Sequence, residues 1–130
     1  MTWCAGAPPL SVGIDLVEVA DVEESLRVHG RRYLNRVFDQ QEQRAYGRDA
    51  GRLASCLAVK EATVKALAPD ADDALGWREI GLRGDTRVPA VELSGAAALL
   101  AQRVGVRELE VALSRDREHA CAVVIAELVR

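Results

Sequence analysis

The fifteen residues from Leu53 to Leu67, LASCLAVKEATVKAL, limit what this chain can become, because an almost wholly apolar helix here carries charge. At 3.6 residues per turn, Leu53, Leu57, Glu61 and Lys65 follow one line of the helix surface. That line begins apolar and ends in a carboxylate and an ammonium. One reading is a surface Glu–Lys pair at i, i+4, the ordinary case for such spacing, contributing roughly 0.2–0.5 kcal/mol. The other is a pocket mouth, where the carboxylate takes a cation and the lysine an anion. Lys60 and Lys65 are the only lysines, the other fifteen basic side chains being arginines. Two lysines around one Glu mark a place where a compact ammonium matters.

The 130 residues suffice for one domain with a real core but not for two. A leader over 1–10, stopped by Pro8 and Pro9, is expected to precede a domain over 11–130. With 49 % hydrophobic residues but only five aromatic ones, the core must come from Leu, Val, Ile and Ala. A net charge of −3 gives no general affinity for nucleic acid or an anionic membrane, so an acidic partner would need a local basic patch. No apolar run approaches the roughly 20 residues of a membrane span, and MTWCAGAPPL lacks the basic start of a secretory signal. A cytoplasmic location is the expectation. Cys4, Cys56 and Cys121 show no metal or disulfide spacing and are expected as buried free thiols. His29 and His119 show no ligand spacing either.

Ser11 to Val19 is expected as the first strand, with Val12, Ile14 and Leu16 on one face and Gly13, Asp15 and Val17 on the other. A carboxylate among apolar neighbours is costly unless compensated. Asp15 is thus either an edge residue facing water, a helix cap, or a cation ligand whose hard oxygens suit Mg²⁺. Gly13, on its face, would leave room for a bulky group. Asp21 is expected to cap a long helix running through Phe38, with Glu24 completing a capping box and Gly30 weakening the middle. Its acidic start and its later Arg27, Arg31, Arg32 and Arg36 suit the helix dipole, and the arginines also form a basic patch fit to dock an acidic protein. Asp39 should cap a short helix ending at Tyr46. After the long helix and a loop from Pro69, strands are expected at Arg78–Arg83 and Val88–Leu93, then a helix capped by Ser94 and ended by Gly105. Glu108–Ser114 and His119–Leu128 close the chain as central antiparallel strands. The fold class is α+β, a small antiparallel sheet packed on one long helix.

Gly13-Ile-Asp-Leu-Val-Glu18, Phe38, Glu42 and Tyr46, Lys60-Glu61-Ala62 with Lys65, Trp77 with Ile80, Pro89, Leu113-Ser114 and Ala122-Val123-Val124 occur in one order across nearly the whole chain. In this the chain resembles the holo-acyl-carrier-protein synthase family of 4′-phosphopantetheinyl transferases. The resemblance implies an enzyme of fatty-acid or polyketide biosynthesis. It would move the phosphopantetheine arm of coenzyme A onto a serine of an acyl carrier protein and release 3′,5′-ADP. It further implies that Asp15 and Glu61 hold Mg²⁺, that Lys65 reaches the phosphates, and that Glu61, Lys65 and Asp15 are catalytic. Lys65, Pro89, Arg87 and Arg115 would contact coenzyme A, and Arg31, Arg32 and Arg36 would dock the carrier. A homotrimer with sites between subunits is also implied. The chain departs from the family pattern at Cys56 (usually Arg), Ala68 (Gly), Arg87 (Gly) and Arg115 (His). Arg115 or Arg87 would then replace the basic group lost at Cys56. The rival reading is a non-catalytic or repurposed relative that binds a carrier protein or coenzyme A in a biosynthetic assembly.

Overall fold

The computed structural model describes residues 9–85 and 87–129. Most of the expected leader, with Cys4, lies outside them. In chain order the elements are β1 (Leu10–Glu18), α1 (Val19–His29), α2 (Arg31–Val37), α3 (Gln40–Tyr46) and α4 (Ala50–Leu67). A 3₁₀ turn (Trp77–Glu79) follows, then β2 (Ile80–Gly84), β3 (Pro89–Leu93), α5 (Gly95–Val104), β4 (Val106–Arg115) and β5 (His119–Leu128). The strands form an antiparallel sheet of order β1-β5-β4 and a separate β2-β3 hairpin. The α+β architecture is the expected one. Of the last two strands only β5 is central; β4 is an edge.

Helix α4 is the axis of the molecule. Ala54, Ser55, Cys56, Ala58, Val59, Ala62 and Thr63 are all buried on it, so small side chains let neighbours close in from several sides. The sheet packs on one flank through Ala120, Ala122, Val124 and Ala126 of β5, each fully buried. Leu53 and Phe38 supply the bulk, and burying each such side chain contributes roughly 1.5–3 kcal/mol. At Gly13 strand and helix meet backbone to backbone: a Cβ there would collide with the Ala62 carbonyl. The expected space for a bulky group is therefore filled by α4 itself. Ser11 Oγ donates to the Ala66 carbonyl at 2.7 Å, fixing the same contact one turn away.

Two helix boundaries differ from expectation. Glu18, not Asp21, precedes α1, and Asp21 lies in its first turn. Gly30, with φ 51°, ends α1 by returning its N–H to the Leu26 carbonyl, and α2 begins afresh at Arg31. A glycine takes that conformation without steric cost, so it divides the helix rather than weakening it. Asp39 caps α3 as expected, in a full capping box with Glu42. Asp49 caps α4 by accepting from the Arg52 N–H. Ser94 makes no side-chain cap on α5; Glu79 accepts the Ala96 N–H instead.

Of the two faces of β1, the less bulky one is covered. Gly13, Asp15 and Val17 face α4, while Leu10, Val12, Ile14 and Leu16 are 50–61 % exposed. Their cross-strand neighbours on that side are Ile125, Val123 and Cys121. On this face β1 and β5 thus present an open apolar surface, bounded at β4 by exposed Glu108 and Glu110.

Candidate active site

Asp15 enters the site from β1, and Glu61 and Lys65 enter from α4. The Gly13 contact holds the two backbones close enough for these side chains to meet. Lys65 Nζ donates to Asp15 Oδ1 at 2.7 Å and to the Ile14 carbonyl at 3.0 Å. The lysine pairs with Asp15 across elements, and no Glu61–Lys65 ion pair is present among the described residues. The surface i, i+4 pair is therefore not what this line of residues makes.

The two carboxyls stand against each other. Burial raises Glu61, and the neighbouring Asp15 raises it further, bringing it to about 7. Burial would also raise Asp15, but hydrogen bonding to Glu61 and Lys65 holds it below the ordinary Asp value. Asp15 Oδ2 is buried without a partner. Glu61 can satisfy it only as the protonated acid; the alternative is a cation between the two. Hard, paired oxygens with one unsatisfied atom are a chemically apt donor set for Mg²⁺, which binds through one or two carboxylates and takes its other ligands from water or phosphate. No cluster of three or more metal-ligating side chains occurs among the described residues.

Behind the pair lies a network that the sequence did not reveal. Lys60 is fully buried, its Nζ donating to Glu42 Oε1 at 2.8 Å, the Trp77 carbonyl at 3.0 Å and the Ile80 carbonyl at 2.6 Å. Glu42 Oε2 accepts the Leu82 N–H at 2.8 Å and the Cys56 thiol at 3.0 Å. All three ammonium protons and both carboxylate oxygens are therefore used. Cys56 is the expected buried free thiol, and Cys121 is free but half-buried. Burial and the Glu42 carboxylate push the Cys56 thiol well above its ordinary value, which makes it inert.

A cavity of about 270 Å³ opens between α4 and the β2-β3 hairpin, lined by Tyr46, Arg52, Ser55, Leu82, Leu113 and Arg115 among others. Arg115 reaches across to Gly51, and Arg52 lies over the Tyr46 ring, 5.2 Å from its centre. Arg52 was not singled out in the sequence; it stands one turn before Cys56 on the same helix. Arg87 sits exposed beyond Gly84 and does not line this cavity, and Pro89 pairs with Gly84 at its hairpin wall. Arg31, Arg32 and Arg36 are exposed on α2.

Three comparisons bear on this arrangement. A family model described as the 4′-phosphopantetheinyl transferase superfamily matches residues 11–124. A holo-acyl-carrier-protein synthase of Paramagnetospirillum magneticum is 40 % identical over 129 residues, covering 91 % of this chain and 95 % of that one. One from Chlamydia trachomatis serovar L2 is 37 % identical over 120 residues, covering 89 % and 98 %. Among solved structures, the ACPS–CoA complex of Chronobacterium ammoniagenes superposes with a TM-score of 0.80 at 30 % identity, covering 94 % of this chain and 99 % of that one.

Proposed function

The chain belongs to the 4′-phosphopantetheinyl transferase superfamily, as an enzyme of the holo-acyl-carrier-protein synthase type, and on that premise we propose how its residues carry out the transfer. The substrate is coenzyme A and the acceptor is a serine of an acyl carrier protein. The serine oxygen bonds to the phosphorus that bears the pantetheine arm, the bond from that phosphorus to the nucleotide oxygen breaks, and 3′,5′-ADP leaves. Asp15 and Glu61 would hold Mg²⁺, and the chemistry it would supply there is charge neutralisation at the pyrophosphate. Glu61, reached from the surface through a cleft, is placed to accept the serine proton. Lys65, half-exposed beyond its bond to Asp15, offers its ammonium to a phosphate as a point charge.

The cavity at Arg52 and Arg115 supports a place for the 3′-phosphate end of the nucleotide. Two guanidinium groups beside an aromatic ring and leucines match a phosphorylated base in charge and in apolar contact. Arg115 then serves in place of the basic group absent at Cys56, with Arg52 as its partner. Arg87, outside the cavity, is assigned no such part. The apolar outer face of β1 and β5 supports self-association, and we read it as the contact of a homotrimer whose sites lie near subunit boundaries. Among the described residues no helix is long and apolar enough to cross a membrane. The free thiols suit a cytoplasmic location.

The observation that carries this reading is the meeting of Asp15, Glu61 and Lys65 from two distant segments. Its test is mass spectrometry of an apo acyl carrier protein incubated with the protein, coenzyme A and Mg²⁺. A phosphopantetheine mass gain is expected, lost in Asp15→Ala and Glu61→Ala, with the KM for coenzyme A raised in Arg52→Ala and Arg115→Ala. Carrier binding without any mass gain would favour the non-catalytic reading. Full transfer by either carboxylate variant would remove the metal assignment.

A further inference from the structure

The division at Gly30 changes what the charges on α1 and α2 mean. Helix α1 exposes Asp21, Glu23 and Glu24, with Glu18 exposed just before it, whereas α2 exposes Arg31, Arg32 and Arg36 and has no acidic residue. In one continuous helix this order would follow from the dipole alone. With α2 starting at Arg31, however, Arg31 and Arg32 occupy its first turn, the end where cations are disfavoured. Nor do these three arginines find acidic partners, for none of them forms an ion pair among the described residues. On α1, Arg27 bonds to Glu24, while Glu18, Asp21 and Glu23 have no such pair there. Local helix energetics therefore do not account for the basic half of this surface. Recognition does.

The acidic half borders the way in to the reacting groups. A cleft of about 390 Å³ runs from the surface to Glu61, with Glu18, Asp21 and Ser25 on the α1 side and Tyr33 of α2 closing it. A partner that delivers a hydroxyl to Glu61 must pass the acids of α1 while resting on the arginines that flank Tyr33. We propose that the carrier protein served by this chain is itself divided in charge. It sets acidic side chains against Arg31, Arg32 and Arg36, and a basic side chain, close to its acceptor serine, against Glu18 and Asp21. A uniformly acidic carrier would place like charges together at the cleft mouth, which weakens docking and steers the encounter away. The inference rests on the transfer reading above and deepens it by giving the partner's charge pattern.

The test compares two apo acyl carrier proteins with the full-length protein, coenzyme A and Mg²⁺. One has a uniformly acidic recognition helix; the other is the same carrier with the acidic residue nearest its acceptor serine replaced by lysine. The lysine-bearing carrier should show a KM roughly two- to fivefold lower, as one added exposed ion pair would give. A Glu18→Gln/Asp21→Asn variant should erase that difference. Arg31→Ala/Arg32→Ala should raise the KM for both carriers and flatten its dependence on salt. An equal or higher KM for the lysine-bearing carrier, or a preference that survives the acidic-site variant, overturns the proposal. Should neither carrier gain mass, it is the transfer reading that fails, and calorimetric affinities of the two carriers then decide the docking inference by the same comparison.

Discussion

Glu61 shows how position alters an ordinary carboxyl. Its folded value near 7, raised by burial and by Asp15, exceeds the unfolded one, so between about pH 4.5 and 7 the native state holds a proton that the unfolded chain has released. In metal-free protein this site's contribution to stability is complete below that window and is lost as pH rises through it. Glu61→Gln, which keeps a hydrogen-bond donor beside Asp15 at every pH, should flatten that decline. Urea unfolding from pH 5 to 8, without divalent ions, measures it; parallel pH profiles for both proteins would contradict the pairing. Much of this was legible beforehand, since an Asp in an apolar strand and a Glu–Lys line on an apolar helix are both anomalies. Their convergence was not, because spacing along α4 cannot show that Lys65 turns toward β1 instead of toward Glu61. Arg52 escaped notice for a simpler reason: among fifteen arginines, only the cavity makes it distinctive.

At the scale of elements, the Lys60–Glu42 pair joins α4 to α3, and the lysine also holds the 3₁₀ turn and β2 through their carbonyls. Removing one partner of a fully buried pair leaves a charge without compensation, at a cost of about 3–5 kcal/mol. Lys60→Ala should lose that much in urea unfolding, and a Glu42→Gln/Lys60→Met double variant, which buries no lone charge, distinctly less. A loss within about 0.5 kcal/mol for Lys60→Ala would show that the pair is not holding these elements. The sequence hid this network because a buried lysine looks like any other until its partner, eighteen positions away, is folded against it. Element identities, by contrast, were readable nearly throughout, from turn residues and periodicity. The exception was the α1–α2 division, where the amphipathic pattern runs on through Gly30 and only the backbone angle breaks it. At the other end of α4, Ala68 closes the helix with φ 49°, a conformation that a residue with a Cβ adopts at a cost of roughly 1–2 kcal/mol.

At the scale of the whole molecule, the outward face of the three-stranded sheet is the surface proposed for contact between copies. Ile14, 58 % exposed, lies on its β1 edge opposite Val123 of the central strand. Ile14→Glu should convert an oligomer to monomers in size-exclusion chromatography with light scattering, and transfer activity should fall with it. An unchanged mass would remove the assignment of this face as a subunit contact. The alternation of β1 was plain in the sequence, but which of its two faces would be covered was not, because the bulkier face is the one left open. That same strand carries Asp15 on its inner side and rests on α4 with no side chain between them at Gly13. The proposed subunit contact and the reacting groups would thus share a partition a single strand thick, clamped where it has no padding. Whatever pressed the strand out of line would carry the carboxylate with it, so a small molecule that wedges against the outer side of β1 should disarm the enzyme without ever reaching its reaction centre.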